Sequence, residues 1–177
     1  MHWEIKPIEY NLRVEWAISR SKSQKKKNYL IYINEEVYSE FAPNIRFGEN
    51  DEIVISQIEN LLPKLCLLSN EKDILRLCKS ERDRKLSVKS LLAGVEMACL
   101  SFFNNWRSYF PASKIKCDTS ISVPIIGWNK FIEYRNIMGL EKFDLIKVKS
   151  NEDLPIKIID FLLNKTNASI SIDYNEA

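Results

Sequence analysis

Two lysines set two positions apart are the first residues in this sequence whose spacing points to chemistry. The run 145–149 reads as a strand, and strand alternation places Lys147 and Lys149 on one face with Val148 on the other. Neighbouring ammonium groups disfavour each other's charged form, and a lysine that releases its proton is a competent general base. Two exposed lysines on an edge strand would give the same pattern, so periodicity leaves both interpretations open.

The strand that follows in the sequence carries a carboxylate near its end. In the run 169–174 the apolar Ile170 and Ile172 alternate with Ser171 and Asp173. In a parallel α/β arrangement active sites assemble at the carboxyl ends of the strands, and a carboxylate there could hold Mg²⁺, which prefers oxygen ligands. An aspartate that caps the next helix is the simpler interpretation of this residue taken alone.

Composition limits the classes of function. The chain has 177 residues, with 26 Lys and Arg against 24 Asp and Glu, and 45% of its residues are hydrophobic. These values describe a globular protein without the clustered positive charge that a nucleic-acid partner requires. The basic run 22–27 is expected to be a solvated loop. Since no apolar stretch reaches the roughly 20 residues that a bilayer needs, no membrane partner is expected either.

Cysteine and histidine chemistry is also restricted. The spacings of Cys66, Cys78, Cys99 and Cys117 match neither a zinc motif nor a Cys-x-x-Cys redox motif. Free buried thiols and a cytoplasmic location are therefore expected. The single histidine, His2, lies at a chain end, which nearly excludes a Ser–His or Cys–His pair within the chain. Base chemistry would have to use Lys, Asp or Glu.

The first part of the chain predicts strands and helices together. Apolar runs predict strands over 3–15 and 28–34, joined by a polar loop over 17–27, and Pro and Gly predict another loop over 41–49. Asn50 is a candidate N-cap for a helix that Pro63 is expected to stop. Two further helices are predicted over 73–79 and 88–106.

The pattern changes after Lys116. Strand, helix, strand, helix and strand follow one another with short connections; they are predicted around 121–123 and over 128–138, 143–149, 152–163 and 168–174. This βαβαβ order is typical of a parallel sheet with right-handed crossovers. A domain boundary is expected near 110–116.

A resemblance to a known family rests on these motifs. A Lys-x-Lys strand followed about 24 positions later by a strand ending in Asp-x-Asn resembles the enolase superfamily. The loop 40–49, Glu-Phe-Ala-Pro-Asn-Ile-Arg-Phe-Gly-Glu, resembles the Glu-x-x-Pro-x-x-Arg-Tyr-Gly-Glu loop of dipeptide epimerases, and 17–21 resembles their Ile-Ala/Ser-Arg-Gly segment. Within the superfamily the chain is most similar to the L-Ala-D/L-Glu epimerases of the muconate-lactonizing-enzyme-like branch.

The resemblance implies a fold in two parts. Residues 1–112 are expected to form an α+β capping domain of antiparallel strands plus helices, and 113–177 the opening βαβαβ part of a TIM-type barrel. A complete barrel has eight βα units and about 250 residues, so the barrel part is expected to be incomplete. The chain is accordingly expected to be the N-terminal half of such an enzyme, or a truncated descendant of one.

The resemblance also implies a reaction, in which an isomerase removes and returns the proton on the carbon next to a carboxylate. Lys149 would be the acid–base residue, Lys147 its electrostatic neighbour and Asp173 the first of three carboxylate ligands to Mg²⁺. Asn175 would lie beside that ligand or the substrate.

The capping-domain loops would complete the substrate site. The loops that carry Arg20, and Arg46 with Phe47, would close over a dipeptide substrate. The family's other metal ligands and its opposite-face lysine would lie beyond Ala177, so the chain alone is expected to be inactive. Open barrel edges imply a homo-oligomer or a complementing C-terminal half.

The sequence leaves three functions open. The first is part of a Mg²⁺-dependent dipeptide epimerase. The second is part of an o-succinylbenzoate synthase or a muconate cycloisomerase, which share the lysines and the aspartate. The third is a non-catalytic module that associates with itself or binds a partner.

Overall fold

The computed structural model describes residues 1–18, 21–84, 87–104, 119–151 and 155–174, with the backbone alone at Ile18 and Ser21. The chain divides into two compact units. The first contains Met1–Tyr10 and Lys27–Ser113, and the second contains Asn11–Lys26 and Lys114–Ala177. Residues 11–26 therefore belong to the same unit as the C-terminal part of the chain.

A three-stranded sheet in the order β1-β2-β3 begins the chain; its strands are β1 (Trp3–Ile18), β2 (Ser21–Ile33) and β3 (Glu36–Phe41). Strands β2 and β3 are antiparallel, with Tyr29 opposite Phe41 and their rings stacked at 5.0 Å between centroids. Tyr29, Ile31 and Ile33 alternate along β2 and are all buried, which directs one face of this strand toward the core.

The expected loop over 17–27 is wrong, because β1 continues to Ile18 and β2 begins at Ser21. Contacts within the second unit explain the longer strands. The buried Ala17 accepts a hydrogen bond at its carbonyl from the Ile125 N–H (2.9 Å), and Glu15 pairs with Lys130 at 3.2 Å. The basic run stays exposed, as expected, but on a strand.

Helices α1 (Asp51–Cys66), α2 (Glu71–Arg82) and α3 (Lys89–Phe102) complete the described part of the first unit. Asn50 is the N-cap of α1 as predicted, since its side-chain oxygen accepts from the Ile53 N–H at 2.9 Å. Helix α3 packs on β3, where the Ser39 hydroxyl donates to the Gly94 carbonyl at 2.7 Å. A Cβ at Gly94 would lie 3.1 Å from both Ile31 Cδ1 and Phe41 Cβ, so glycine permits this close approach.

Pro63 does not stop α1, contrary to the sequence prediction, and the helix continues to Cys66. Proline removes one backbone N–H from the helix, but Leu65, two residues later, is completely buried. Burial of this side chain offsets the lost hydrogen bond.

Replacing the exposed Pro63 with alanine is expected to raise the free energy of unfolding by about 2 kcal/mol, because the helix regains a donor and loses a ring clash. Urea denaturation measures this change. Ser56→Ala, at an exposed position of the same helix, is the control, and an equal gain in both variants would show that Pro63 carries no special cost.

The second unit has the βαβαβ order that the sequence predicts. Its elements are β4 (Ser120–Val123), α4 (Trp128–Met138), β5 (Leu145–Lys149), α5 (Ile156–Lys165) and β6 (Ser169–Asp173). The strands are parallel and lie in the order β4-β5-β6. The fold class expected for the chain, antiparallel strands with helices followed by a parallel sheet with helices, is confirmed.

Alternating apolar residues fix the orientation of this parallel sheet. Ile121, Val123, Ile146 and Val148 are buried against the helices, together with Phe131, Tyr134, Leu140, Ile158 and Leu162. The positions between them on the strands therefore face the opposite side of the sheet.

The cysteines only partly follow the sequence prediction. Cys78 and Cys99 are buried, and burial raises the pKa of each thiol to about 12, whereas Cys66 is exposed. Cys117 lies outside the described residues. Over the described ranges no helix has both the length and the apolarity needed to span a membrane, and the cytoplasmic location stays a prediction.

Candidate acid–base site

Three of the predicted site residues meet at the carboxyl ends of β5 and β6. Lys149 lies opposite Asp173 in the parallel register. The Nζ atoms of Lys147 and Lys149 lie 3.5 and 3.4 Å from the same carboxylate oxygen, Oδ2 of Asp173. The two lysines and the aspartate are therefore brought together, and we call these three residues the Lys–Asp cluster.

The sequence places the cluster through strand alternation. Ile146 and Val148 are buried on the helix side of β5, so the two lysines must lie on the other face. The backbone N–H of Ser150 donates to the Asp173 carbonyl at 2.9 Å and extends the pairing of β5 with β6 past the last strand residue. A shift of β6 by one residue would turn Asp173 toward the helices.

The cluster carries a net charge of +1 from two ammonium groups and one carboxylate. The carboxylate lies between the lysines and offsets their mutual repulsion. The side chain of Lys149 is 14% exposed, against 41% for Lys147 and 25% for Asp173. Because Lys149 is the more enclosed amine and Lys147 the more open one, the first suits proton transfer and the second suits attraction of an anion.

Serine hydroxyls flank the cluster. Ser122 on β4 and Ser171 on β6 lie in register with Lys147 on either side. The Tyr134 hydroxyl donates to the Ser122 carbonyl at 2.7 Å and ties α4 to the end of β4; its own pKa is raised by burial. The sequence analysis missed Ser122, although its alternation with the apolar Ile121 and Val123 could have indicated its face.

The described residues do not form a magnesium site. Among these residues, no group of three or more histidine, cysteine, aspartate or glutamate side chains is placed to hold a metal ion. Asp173 supplies one carboxylate, and two ammonium groups lie against it. A divalent cation at this position would need further oxygen ligands and displacement of the lysines.

The other predicted site residues lie outside the described residues or in the first unit. Asn175 and Arg20 lie outside the described residues. Arg46 and Phe47 belong to the first unit, on a 3₁₀ turn over Ile45–Phe47, and the Phe47 side chain is 79% exposed. Asn44 begins this turn by accepting from the Arg46 N–H at 3.0 Å.

A buried carboxylate secures the loop that carries Arg46. Glu49 accepts from the Asn44 N–H at 2.9 Å and from the Ser90 N–H at 3.0 Å. Burial by itself would raise the pKa of Glu49, but the backbone donors of Ser90 and Asn44 outweigh it and lower that pKa. Val88 provides no side-chain cap for α3. The Glu49 carboxylate instead accepts from a backbone N–H in the first turn of this helix. The sequence analysis included Glu49 only as the last residue of the 40–49 loop and did not predict these hydrogen bonds.

Scans against protein-family models and curated proteins give no match, whereas solved structures match nearly the whole chain. A dipeptide epimerase from Enterococcus faecalis, complexed with Mg and L-Leu-L-Tyr, matches with a TM-score of 0.77 at 16% identity. The match covers 99% of this chain and 53% of that one. A dipeptide epimerase from Methylococcus capsulatus, complexed with Mg and L-Arg-D-Lys, matches with a TM-score of 0.75 at 16% identity. This match covers 98% of this chain and 53% of that one.

A mandelate racemase/muconate lactonizing protein from Herpetosiphon aurantiacus matches with a TM-score of 0.70 at 15% identity, over 97% of this chain and 51% of that one. The chain thus spans about half the length of the solved proteins that it matches. At these identities the likeness concerns the fold. The chain has the fold of the capping domain and the opening of the barrel of enolase-superfamily proteins, as the sequence predicted.

Proposed function

We propose that this chain supplies the acid–base part of an active site that removes and returns the proton next to a carboxylate in a dipeptide. The observation that carries the proposal is the Lys–Asp cluster at the carboxyl ends of two paired parallel strands. The fold supports it, since solved proteins that share this fold include dipeptide epimerases with bound dipeptides. Active sites of barrels built from βα units lie at this end of the strands.

The cluster suits the chemistry of proton abstraction. In the proposed step the Lys149 ammonium group first releases its proton to solvent. Its Nζ then takes the α-proton, the C–H electron pair moves into the adjacent carboxylate, and an enediolate forms. The Lys147 ammonium group stabilises the negative charge that develops, and Asp173 holds both amines in place. Returning the proton to the same carbon completes the cycle.

Two components of such a site must come from outside the described residues. A base on one face can return a proton only to that face, so epimerisation requires a second acid. Asp173 can serve a magnesium ion only together with carboxylates from elsewhere. Arg20, Arg46, Phe47 and Asn175 stay proposed substrate contacts.

The sheet edges favour a partner that supplies these components. Across the described residues, β4 and β6 each pair with β5 only, so each has one edge with unpaired backbone groups. Parallel sheets are ordinarily covered on both faces, and open edges attract further strands. We therefore propose that the active form includes a second copy of the chain or a complementing C-terminal half.

The test measures α-proton exchange in D₂O. A tagged chain is expressed from its own gene, isolated together with the polypeptides bound to it, and incubated with Mg²⁺ and L-Ala-L-Glu or L-Leu-L-Tyr. Proton NMR follows the loss of the α-proton signal and the formation of the epimer. We expect both in this preparation. Activity of the recombinant chain alone would identify a second copy as the completing component, and its inactivity would identify a complementing half. Their absence from both preparations would contradict the proposal and favour a non-catalytic module.

A further inference from the structure

The turn that carries Arg46 has a defined backbone conformation. The Phe47 N–H donates to the Asn44 carbonyl at 2.9 Å, and the Gly48 N–H donates to the Ile45 carbonyl at 3.0 Å. Gly48 ends the turn with a φ of 76°, in the left-handed region that favours glycine. These hydrogen bonds fix the directions in which the side chains of the turn leave the backbone.

The same turn presents two large apolar side chains to solvent. Ile45 and Phe47 are each 79% exposed, and the exposed Arg46 lies between them in the sequence. One exposed apolar residue needs no explanation, but aromatic and arginine side chains grouped at one place are typical of a contact surface. The proposed function assigns this contact to the substrate.

Glu49 connects the turn to helix α3. Its Oε2 accepts from the Asn44 N–H, where the turn begins, and its Oε1 accepts from the Ser90 N–H, in the first turn of the helix. The helix itself is held in the core, since Leu91 and Leu92 are completely buried. One carboxylate, on a residue that is 6% exposed, therefore holds the start of the turn against a core helix.

We propose that Glu49 is a positioning residue for the proposed reaction, and that it acts through Asn44 to hold Arg46 and Phe47 in the orientation that contacts the substrate. The inference rests on the proposed function and adds a residue that acts through the turn rather than on the reacting atoms. Loss of the carboxylate then weakens substrate binding more than it slows proton transfer by Lys149.

The first measurement needs no substrate. Amide hydrogen exchange of the full ¹⁵N-labelled chain follows Phe47 and Gly48, whose N–H groups donate within the turn and not to Glu49. Glu49→Gln is expected to speed exchange at both amides by about tenfold, because loss of a hydrogen bond to a charged group favours local opening by a factor of that order. Glu49→Asp keeps the charge on a shorter side chain, and its exchange rates are expected to lie between those of the other two chains.

The second measurement separates positioning from stability, and it uses the D₂O assay on the chain isolated with its bound polypeptides. Glu49→Gln is expected to raise KM about tenfold and to change kcat by less than about twofold. Asn44→Ala removes the Oδ1 that accepts from the Arg46 N–H, so it opens the same turn and is also expected to raise KM. Ile74→Ala removes a completely buried side chain from α2 at a comparable cost in stability, and is expected to leave KM unchanged.

Unchanged amide exchange at Phe47 and Gly48 in both Glu49 variants would overturn the assignment. An equal rise in KM in Ile74→Ala would also overturn it, because the effect would then follow stability alone. The two proposals fail separately. Exchange of the substrate α-proton with an unaltered KM in Glu49→Gln would overturn the positioning role alone, whereas faster amide exchange in the turn without any α-proton exchange would overturn the proposed function.

Discussion

Replacement of Lys149 by methionine is expected to lower the rate of α-proton exchange in the preparation from the native gene by about 10²- to 10⁴-fold, the usual contribution of a general base. Methionine keeps an unbranched side chain of similar length and removes the amine. The Lys149 side chain is 14% exposed and its Nζ contacts Asp173, so the amine is held in one place rather than free in solvent. The exchange rate is measured by proton NMR in D₂O.

Two further variants separate chemistry from charge. Lys142→Met removes an exposed lysine from the same unit and is expected to leave exchange unchanged. Lys147→Met removes the electrostatic neighbour and is expected to weaken substrate binding together with the rate. Circular dichroism checks that each variant folds. If Lys149→Met exchanges as fast as the unmodified chain, the base lies elsewhere and the assignment of Lys149 is wrong.

Replacement of Glu49 by glutamine is expected to lower the free energy of unfolding by about 3 kcal/mol at neutral pH, because hydrogen bonds to charged groups are worth about 1.5–3 kcal/mol. Glu49 is 6% exposed and accepts from two backbone N–H groups, those of Asn44 and Ser90. A glutamine keeps one acceptor and brings an amide donor against the other N–H. Urea denaturation measures the loss.

The contribution of Glu49 also depends on pH in a defined direction. Its pKa in the folded chain lies below the ordinary value of 4.5. A carboxylate with a lowered folded pKa stabilises the fold fully above its ordinary value, and the stabilisation disappears as the pH falls through the folded value. The difference between the unmodified chain and Glu49→Gln should therefore shrink in acid. Glu59→Gln, at an exposed position of α1, is the control, and an equally large loss there would refute a special role for Glu49.

The strands of the second unit could be predicted because apolar and polar residues alternate along them. Ile121 and Val123, and again Ile146 and Val148, alternate with polar residues and are buried on one side of the sheet. The same alternation that buries them assigns the lysines to the other face. Local pattern and tertiary packing agree here, so the βαβαβ order and the Lys–Asp cluster could both be predicted.

The failures occur where tertiary contacts override the local pattern. Residues 21–27 are polar and basic, yet they are a strand because they pair with β1, whose outer part is held within the second unit. The short β3, which sequence analysis did not predict, is held by pairing with β2 and by α3. Pro63 is tolerated because Leu65, two residues later, is buried.

The contact between Trp128 and Lys157 and the role of Glu49 could not be predicted from residue spacing. Trp128 and Lys157 lie 4.4 Å apart, ring centroid to Nζ, but they begin two different helices. Glu49 serves a helix that begins forty positions later, at Lys89. Periodicity describes one element at a time, and these arrangements depend on how elements pack.

Because Lys149 and Asp173 are paired in register, the Lys–Asp cluster is more sensitive to insertion or deletion of a residue in β6 than to a substitution at a neighbouring position. A substitution at Ile170 or Ser171 alters one side chain, whereas loss of one codon within β6 exchanges its two faces and removes the aspartate from the lysines. Loss of two codons returns the aspartate to the face that carries the lysines, but at a different position along the strand. Natural variation in β6 is accordingly expected to accumulate as replacements, with insertions and deletions confined to the connections on either side of α5.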